Sequence, residues 1–220
     1  MTNSPVVALA RAKAAETFQA DRCLVFVRTR FGVGPKAGDA AEGFAITTAR
    51  HSTTPPPGVP VWWTGGSHGH VAISAGGGYV YSTDWPRSGT VGRAAITSIT
   101  DNWHKTYRGW SEDINGVTVF TSPTVDLQAL LRAAHSDPNA AQGATTAGSA
   151  DDVRLVEAAL FNEGLLDEKY TFDGSFGSKT LTAYAAWQRR SGHADKIDNG
   201  LPALESLKAL GQKYGFIVRA

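Results

Sequence analysis

The chain has a single cysteine, Cys23, and the stretch 65–84 (GGSHGHVAISAGGGYVYSTD) holds a histidine and an acid, His70 and Asp84, spaced to work with it. A cysteine nucleophile needs a thiolate, a base within hydrogen-bond reach and a third group that orients the base. Alternation over residues 70–74 and 79–83 suits two half-buried strands, and Gly76, Gly77 and Gly78 supply the positive backbone angles of a tight connection. An odd loop sets His70 opposite Asp84, with Ser82 diagonal to the ring; an even loop sets His70 opposite Thr83. Opposed side chains have Cβ atoms roughly 4.5–5.5 Å apart, so the odd register builds a His–Asp pair that fixes the imidazole tautomer and favours imidazolium.

The nucleophile needs its own support. Asp21 reads as the N-cap of a helix running from Cys23 to Phe31 and stopped by Gly32 and Gly34. That places Cys23 in a first turn, where free N–H groups and the helix dipole lower a thiol from its ordinary value of about 8.5. The backbone N–H of Cys23 is then the first oxyanion donor, and Gln19, one turn upstream, is the candidate second. His68 in the Gly-Ser-His-Gly loop and Trp63 among the aromatics crowding the hairpin are candidate substrate contacts. The competing reading makes Cys23 a small hydrophobe packed under Phe26 and Val27. His68, His70 and Asp84 could in principle hold zinc, but no HExxH pattern or second histidine pair accompanies them, so neither a metal nor a cofactor is expected. His51, His104, His135 and His193 have no matching partners in the sequence.

These residues must be carried by surrounding elements. Residues 5–19 have helical spacing opened by Ser4 and Pro5, residues 37–48 form a further helical segment, and Pro55, Pro56 and Pro57 enforce an extended entry into a strand at 59–63. Short strands are expected at 94–96, 107–110 and 117–120, with a helix at 99–105. Helices followed by a run of antiparallel strands make an α+β domain over residues 1–120. Residues 121–150 shift to Ser, Thr, Ala, Gly, Gln and Pro and read as a linker, with 125–134 open to being one helix packed on the first domain. Residues 151–220 form a small three-helix unit, with helices at 152–162, 178–190 and 202–214.

The 220 residues are 42% hydrophobic and 19% charged with a net charge of +1, as in a globular protein. That balance gives no electrostatic case for nucleic acid or an anionic membrane. No stretch is long enough to span a bilayer, and MTNSPVVALARAKAAETF lacks the sustained apolar core of a signal peptide. One cysteine excludes an intramolecular disulfide.

Together, Cys23-Leu24-Val25-Phe26-Val27 and PPPGVPVWWTGGSHGHVAI resemble the cysteine helix and the Gly-His-Val strand of the papain-like NlpC/P60 and CHAP hydrolases of peptidoglycan, over residues 10–116. The resemblance implies a papain-like fold with Cys23 as nucleophile and His70 as base. NlpC/P60 members usually carry a histidine or polar residue where Ser82 falls, and the acid of their Pro-Gly-Asp motif is replaced here by Val59. The third member of the site therefore lies between Asp84 and Ser82, with Asp84 favoured because a carboxylate stabilises imidazolium. Phe172-Asp173-Gly174-Ser175-Phe176-Gly177, with Thr180, Ala183, Tyr184, Trp187 and Gln188, and then Gly200-Leu201-Pro202, resemble the three-helix peptidoglycan-binding domain. The combination is similar to bacteriophage endolysins. It implies a peptidoglycan hydrolase cutting an amide of the stem peptide or cross-bridge, expected as a monomer, held in the host cytoplasm until release and then acting at the cell wall. Endopeptidase is the favoured activity; N-acetylmuramoyl-L-alanine amidase and a non-catalytic wall-binding or virion structural protein are the alternatives.

Overall fold

Alternating apolar residues and three consecutive glycines generate the centre of the first unit. The computed structural model describes residues 4–192 and 199–220, so His193 lies outside the described residues. The chain divides into two compact units, Met1–Thr121 and Ser122–Ala220. The first runs α1 (Pro5–Lys13), α2 (Cys23–Arg30), α3 (Ala40–Ala45), β1 (Arg50–His51), β2 (Pro60–Thr64), β3 (His70–Gly76), β4 (Tyr79–Thr83), β5 (Val91–Ala95), α4 (Ile96–Asn102) and β6 (Thr106–Ser111), then a small hairpin of β7 (Asp113–Ile114) and β8 (Val117–Thr118). The sheet is six-stranded, in the order β1-β6-β2-β3-β4-β5, and antiparallel throughout. The unit is α+β.

Register fixes which side chains share a face. Ile73 pairs with Tyr81 and Ser74 with Val80, whereas next to the turn Gly76 pairs with Tyr79. The connection is thus a two-residue turn, Gly77-Gly78, with φ of 60° and 81°, and one extra residue at the bulge restores the odd register along the strands. With Trp63 opposite His70 and Val61 opposite Ala72, one face carries Val61, Trp63, His70, Ala72, Val80 and Ser82. This face packs under Ile99 of α4 and against Trp85 and Trp103. The other face presents Trp62, which meets Phe44 of α3 at 5.9 Å between rings.

Several boundaries differ from the sequence expectation. α1 stops at Lys13 because residues 16–18 run alongside the 89–91 loop: Val91 N donates to Glu16 O at 2.8 Å and Phe18 N to Gly89 O at 3.1 Å. Gln19 is therefore on an extended segment, not one helical turn before Cys23. Asp21 does not cap α2; it has φ of 59°, and Arg22 takes the N-cap position with no side-chain bond. α3 is shorter than predicted because Asp39 caps it, accepting from Glu42 N at 2.9 Å.

The second unit comprises β9 (Thr124–Asp126), α5 (Leu127–Ser136), a 3-10 turn, α6 (Ala150–Asn162), α7 (Ser178–Arg190), α8 (Leu204–Tyr214) and β10 (Ile217–Arg219). α6, α7 and α8 are the three helices expected over residues 151–220, and β9 and α5 join them in one unit, so residues 121–150 are not a free linker. Asp126 caps α5 by accepting from Ala129 N at 3.0 Å, and Leu127, Leu130, Ala133 and Ala134 bury one helical stripe within this unit. β9 pairs in parallel with β10. Asp137 accepts from Thr146 Oγ1 at 2.7 Å and from Phe176 N at 2.8 Å, which ties the polar stretch to the Asp-Gly-Ser-Phe-Gly turn. Phe176 and Tyr184 are fully buried, with rings 6.0 Å apart, and Gln188 closes the 200–201 loop through Leu201 O and Gly200 N. Gly200 (φ 84°) has no substitute there, because a Cβ would lie 2.2 Å from Leu181 O.

Candidate active site

His70 opens β3, and its side chain is 5% exposed, with the ring 5.7 Å from Trp63 and edge-on to Trp103 at 4.9 Å. Its Nε2 lies 2.8 Å from Ser82 Oγ. Ser82 Oγ in turn donates its only proton to Thr83 O at 2.9 Å. Nε2 must therefore be the donor, which assigns the Nε2–H tautomer and leaves Nδ1 with its lone pair. Burial pushes the imidazole pKa down to about 3, and the Lys105 charge pushes the same way.

Cys23 is the first residue of α2 and is partly exposed. As first helical residue its N–H has no intrahelical acceptor. The N–H groups of Val71, next to His70, and Leu24 point at the sulfur. Burial pushes the thiol up; those two N–H groups and Lys105 oppose it, while Asp84 adds to the rise. The resting site is thus a neutral thiol and a neutral imidazole in one cleft of about 750 Å³, which Asp84, His68, Trp103 and Lys105 also line.

The expected partners are sorted by this geometry. Asp84 shares the cleft but makes no hydrogen bond to His70: its backbone turns left-handed at φ of 60°, Oδ2 accepts from Asp21 N at 3.1 Å and Oδ1 from Gly89 N at 2.8 Å. The diagonal residue, Ser82, occupies the orienting position instead. Trp63 is fully buried, with Nε1 donating to Thr100 Oγ1 at 3.0 Å, so it supports His70 and does not face substrate. Gln19 is exposed and lines a second recess of about 480 Å³ together with Cys23 and His68. His68 Nδ1 meets Asp39 Oδ2 at 2.8 Å, and its carbonyl accepts from Ala41 N, which anchors the loop to the start of α3.

Lys105 escaped sequence reasoning. It follows α4 with no motif around it, yet its Nζ donates to Gly65 O at 2.9 Å and Gly69 O at 3.0 Å in the loop leading to His70. Among the described residues no group of three or more His, Cys, Asp or Glu is arranged to hold a metal ion. No helix of the described residues is long and apolar enough to cross a membrane. Comparison of the chain with protein-family models, with curated proteins and with solved structures finds no match.

Proposed function

We propose that the first unit is a papain-like cysteine hydrolase of peptidoglycan, akin to NlpC/P60 and CHAP enzymes, and that the second unit holds it to the cell wall. The observation that carries the reading is the proton arrangement at His70: Ser82 holds Nε2–H, and the bare Nδ1 shares a cleft with a cysteine at a helix start. In the proposed reaction Nδ1 takes the Sγ proton as sulfur attacks an amide carbonyl of the stem peptide or cross-bridge. The tetrahedral oxyanion is met by the Cys23 N–H, with the Gln19 side chain as second donor. Collapse breaks the C–N bond, and the imidazolium gives its proton to the leaving amine. His70 then activates water, which releases the acyl group from sulfur. The neutral Ser82 keeps the ring oriented in both protonation states, since Nε2–H is present in each.

The protein would be held in the host cytoplasm until lysis and act on the wall from there, in the manner of a bacteriophage endolysin. Turbidity of purified walls tests the reading: Cys23→Ala abolishes clearing while pull-down on the same walls persists. Clearing that survives in Cys23→Ala sinks the cysteine mechanism. Mass spectrometry of the released fragments distinguishes an endopeptidase, which leaves glycan-bound peptide stubs, from an amidase, which frees whole stems.

A further inference from the structure

One fixed charge of the cleft has no part in the reaction as written. Lys105 Nζ is held by two backbone carbonyls, Gly65 O and Gly69 O, and lines the same cleft as Cys23 and His70. Among the described residues no carboxylate pairs with it. Carbonyl oxygens orient an ammonium without cancelling its charge, so its field reaches the cleft. Ser82, being neutral, orients His70 without balancing either charge of a thiolate–imidazolium pair. A cation fixed beside the sulfur favours a thiolate formed here.

We propose that Lys105 is a positioning residue of this site, which clamps the loop ahead of His70 and supplies the positive field that favours the Cys23 thiolate during attack. The inference rests on the reading of Cys23 as nucleophile. No bond to Lys105 forms or breaks; the Sγ proton still passes to His70 Nδ1. The Lys105 charge acts in opposite senses on the two reacting groups, pulling the thiol down and disfavouring imidazolium. Asp84 opposes it at the sulfur. The other charged or titratable groups lining the cleft are Asp21, His68 and Arg87, and they are common to every variant compared.

Because Cys23 is the only cysteine, alkylation by iodoacetamide reports on it alone in the full chain. Its rate is followed against pH in the wild type, Lys105→Met and Lys105→Arg. Loss of the cation in Lys105→Met moves the midpoint up by about one pH unit and slows alkylation near pH 7 roughly tenfold, and Lys105→Arg restores both. If Lys105→Met lacks the wild-type circular dichroism, Lys105→Gln takes its place. A midpoint unchanged without the charge, even with slower wall clearing, assigns Lys105 to loop clamping alone and overturns the inference. A wild type inert to iodoacetamide up to pH 10 overturns the nucleophile reading as well.

Discussion

Ser82 Oγ lies 2.8 Å from His70 Nε2 and spends its own proton on the Thr83 carbonyl, so the histidine is the donor of that bond. Removing the hydroxyl leaves a buried N–H without an acceptor and frees the ring to take the other tautomer, in which Nδ1 carries the proton. Ser82→Ala is therefore expected to lower the rate constant of wall clearing by about 10- to 100-fold with little change in substrate affinity. Wild-type clearing in this variant, with the fold retained, removes Ser82 from the mechanism.

Asp84 has a different job. Its carboxylate joins the 85–90 loop to the turn before α2 through Gly89 N and Asp21 N, and both Asp84 and Asp21 are left-handed, at φ of 60° and 59°. Alanine there loses both acceptors and tolerates the backbone angle poorly, which costs about 2 kcal/mol. Asparagine accepts the left-handed angle and keeps one acceptor oxygen, so Asp84→Asn should clear walls within about tenfold of wild type, where an orienting acid would lose about 10⁴-fold on the same change. A collapse of that size in Asp84→Asn, with unchanged urea stability, would return Asp84 to the orienting role.

The hairpin was legible because alternation and glycine angles are local, but they leave odd and even registers open, and the odd one comes from a bulge beside a two-residue turn. The helix through Cys23 was legible too, although Arg22 and not Asp21 takes its N-cap. What failed was set by distant parts of the chain. Alternation predicts that Asp84 continues the strand, but the Gly89 and Asp21 amides draw it into a left-handed turn. Trp63 looked like a cleft aromatic until α4 covered its face of the sheet. Lys105 has meaning only once β6 brings it beside residues 65–69. Residues 121–150 have a linker's composition, yet Leu127, Leu130 and Ala133 form an apolar stripe, and β9 finds its partner near the end of the chain, with Asp126 bonded to Arg219 at 2.7 Å.

Buried His70 makes the first unit sensitive to acid. Its pKa is pushed down to about 3 from 6.5, so between those values the unfolded chain binds a proton that the folded chain refuses. Stability therefore falls as pH drops below 6.5, with a slope approaching about 1.4 kcal/mol per pH unit, and levels off near 3. Trp62, Trp63, Trp85, Trp103 and Trp110 belong to this unit, against Trp187 alone in the second, so urea unfolding followed by tryptophan emission reads it. His70→Gln should flatten the slope. An undiminished slope in that variant traces the acid sensitivity to other groups.

Glu157 gives the second unit the opposite dependence. It is fully buried on α6, with Oε2 accepting from Gly174 N at 3.1 Å and Thr180 Oγ1 at 3.5 Å from Oε1. Burial first, and then the neighbouring Asp173 carboxylate, push its pKa up to about 9 from 4.5. A protonated Glu157 donates to Asp173, so the folded unit holds a proton that the unfolded chain releases above pH 4.5. The stabilisation is whole below 4.5 and is lost as pH rises through 9. Raising pH from 7 to 9 should thus lower the calorimetric transition of this unit while the His70-dependent unit, above its own window, stays level. Glu157→Gln keeps a donor toward Asp173 but cannot ionise, and is expected to hold its transition constant over that range. A fall of equal size in wild type and Glu157→Gln shows that the shared proton is not the cause.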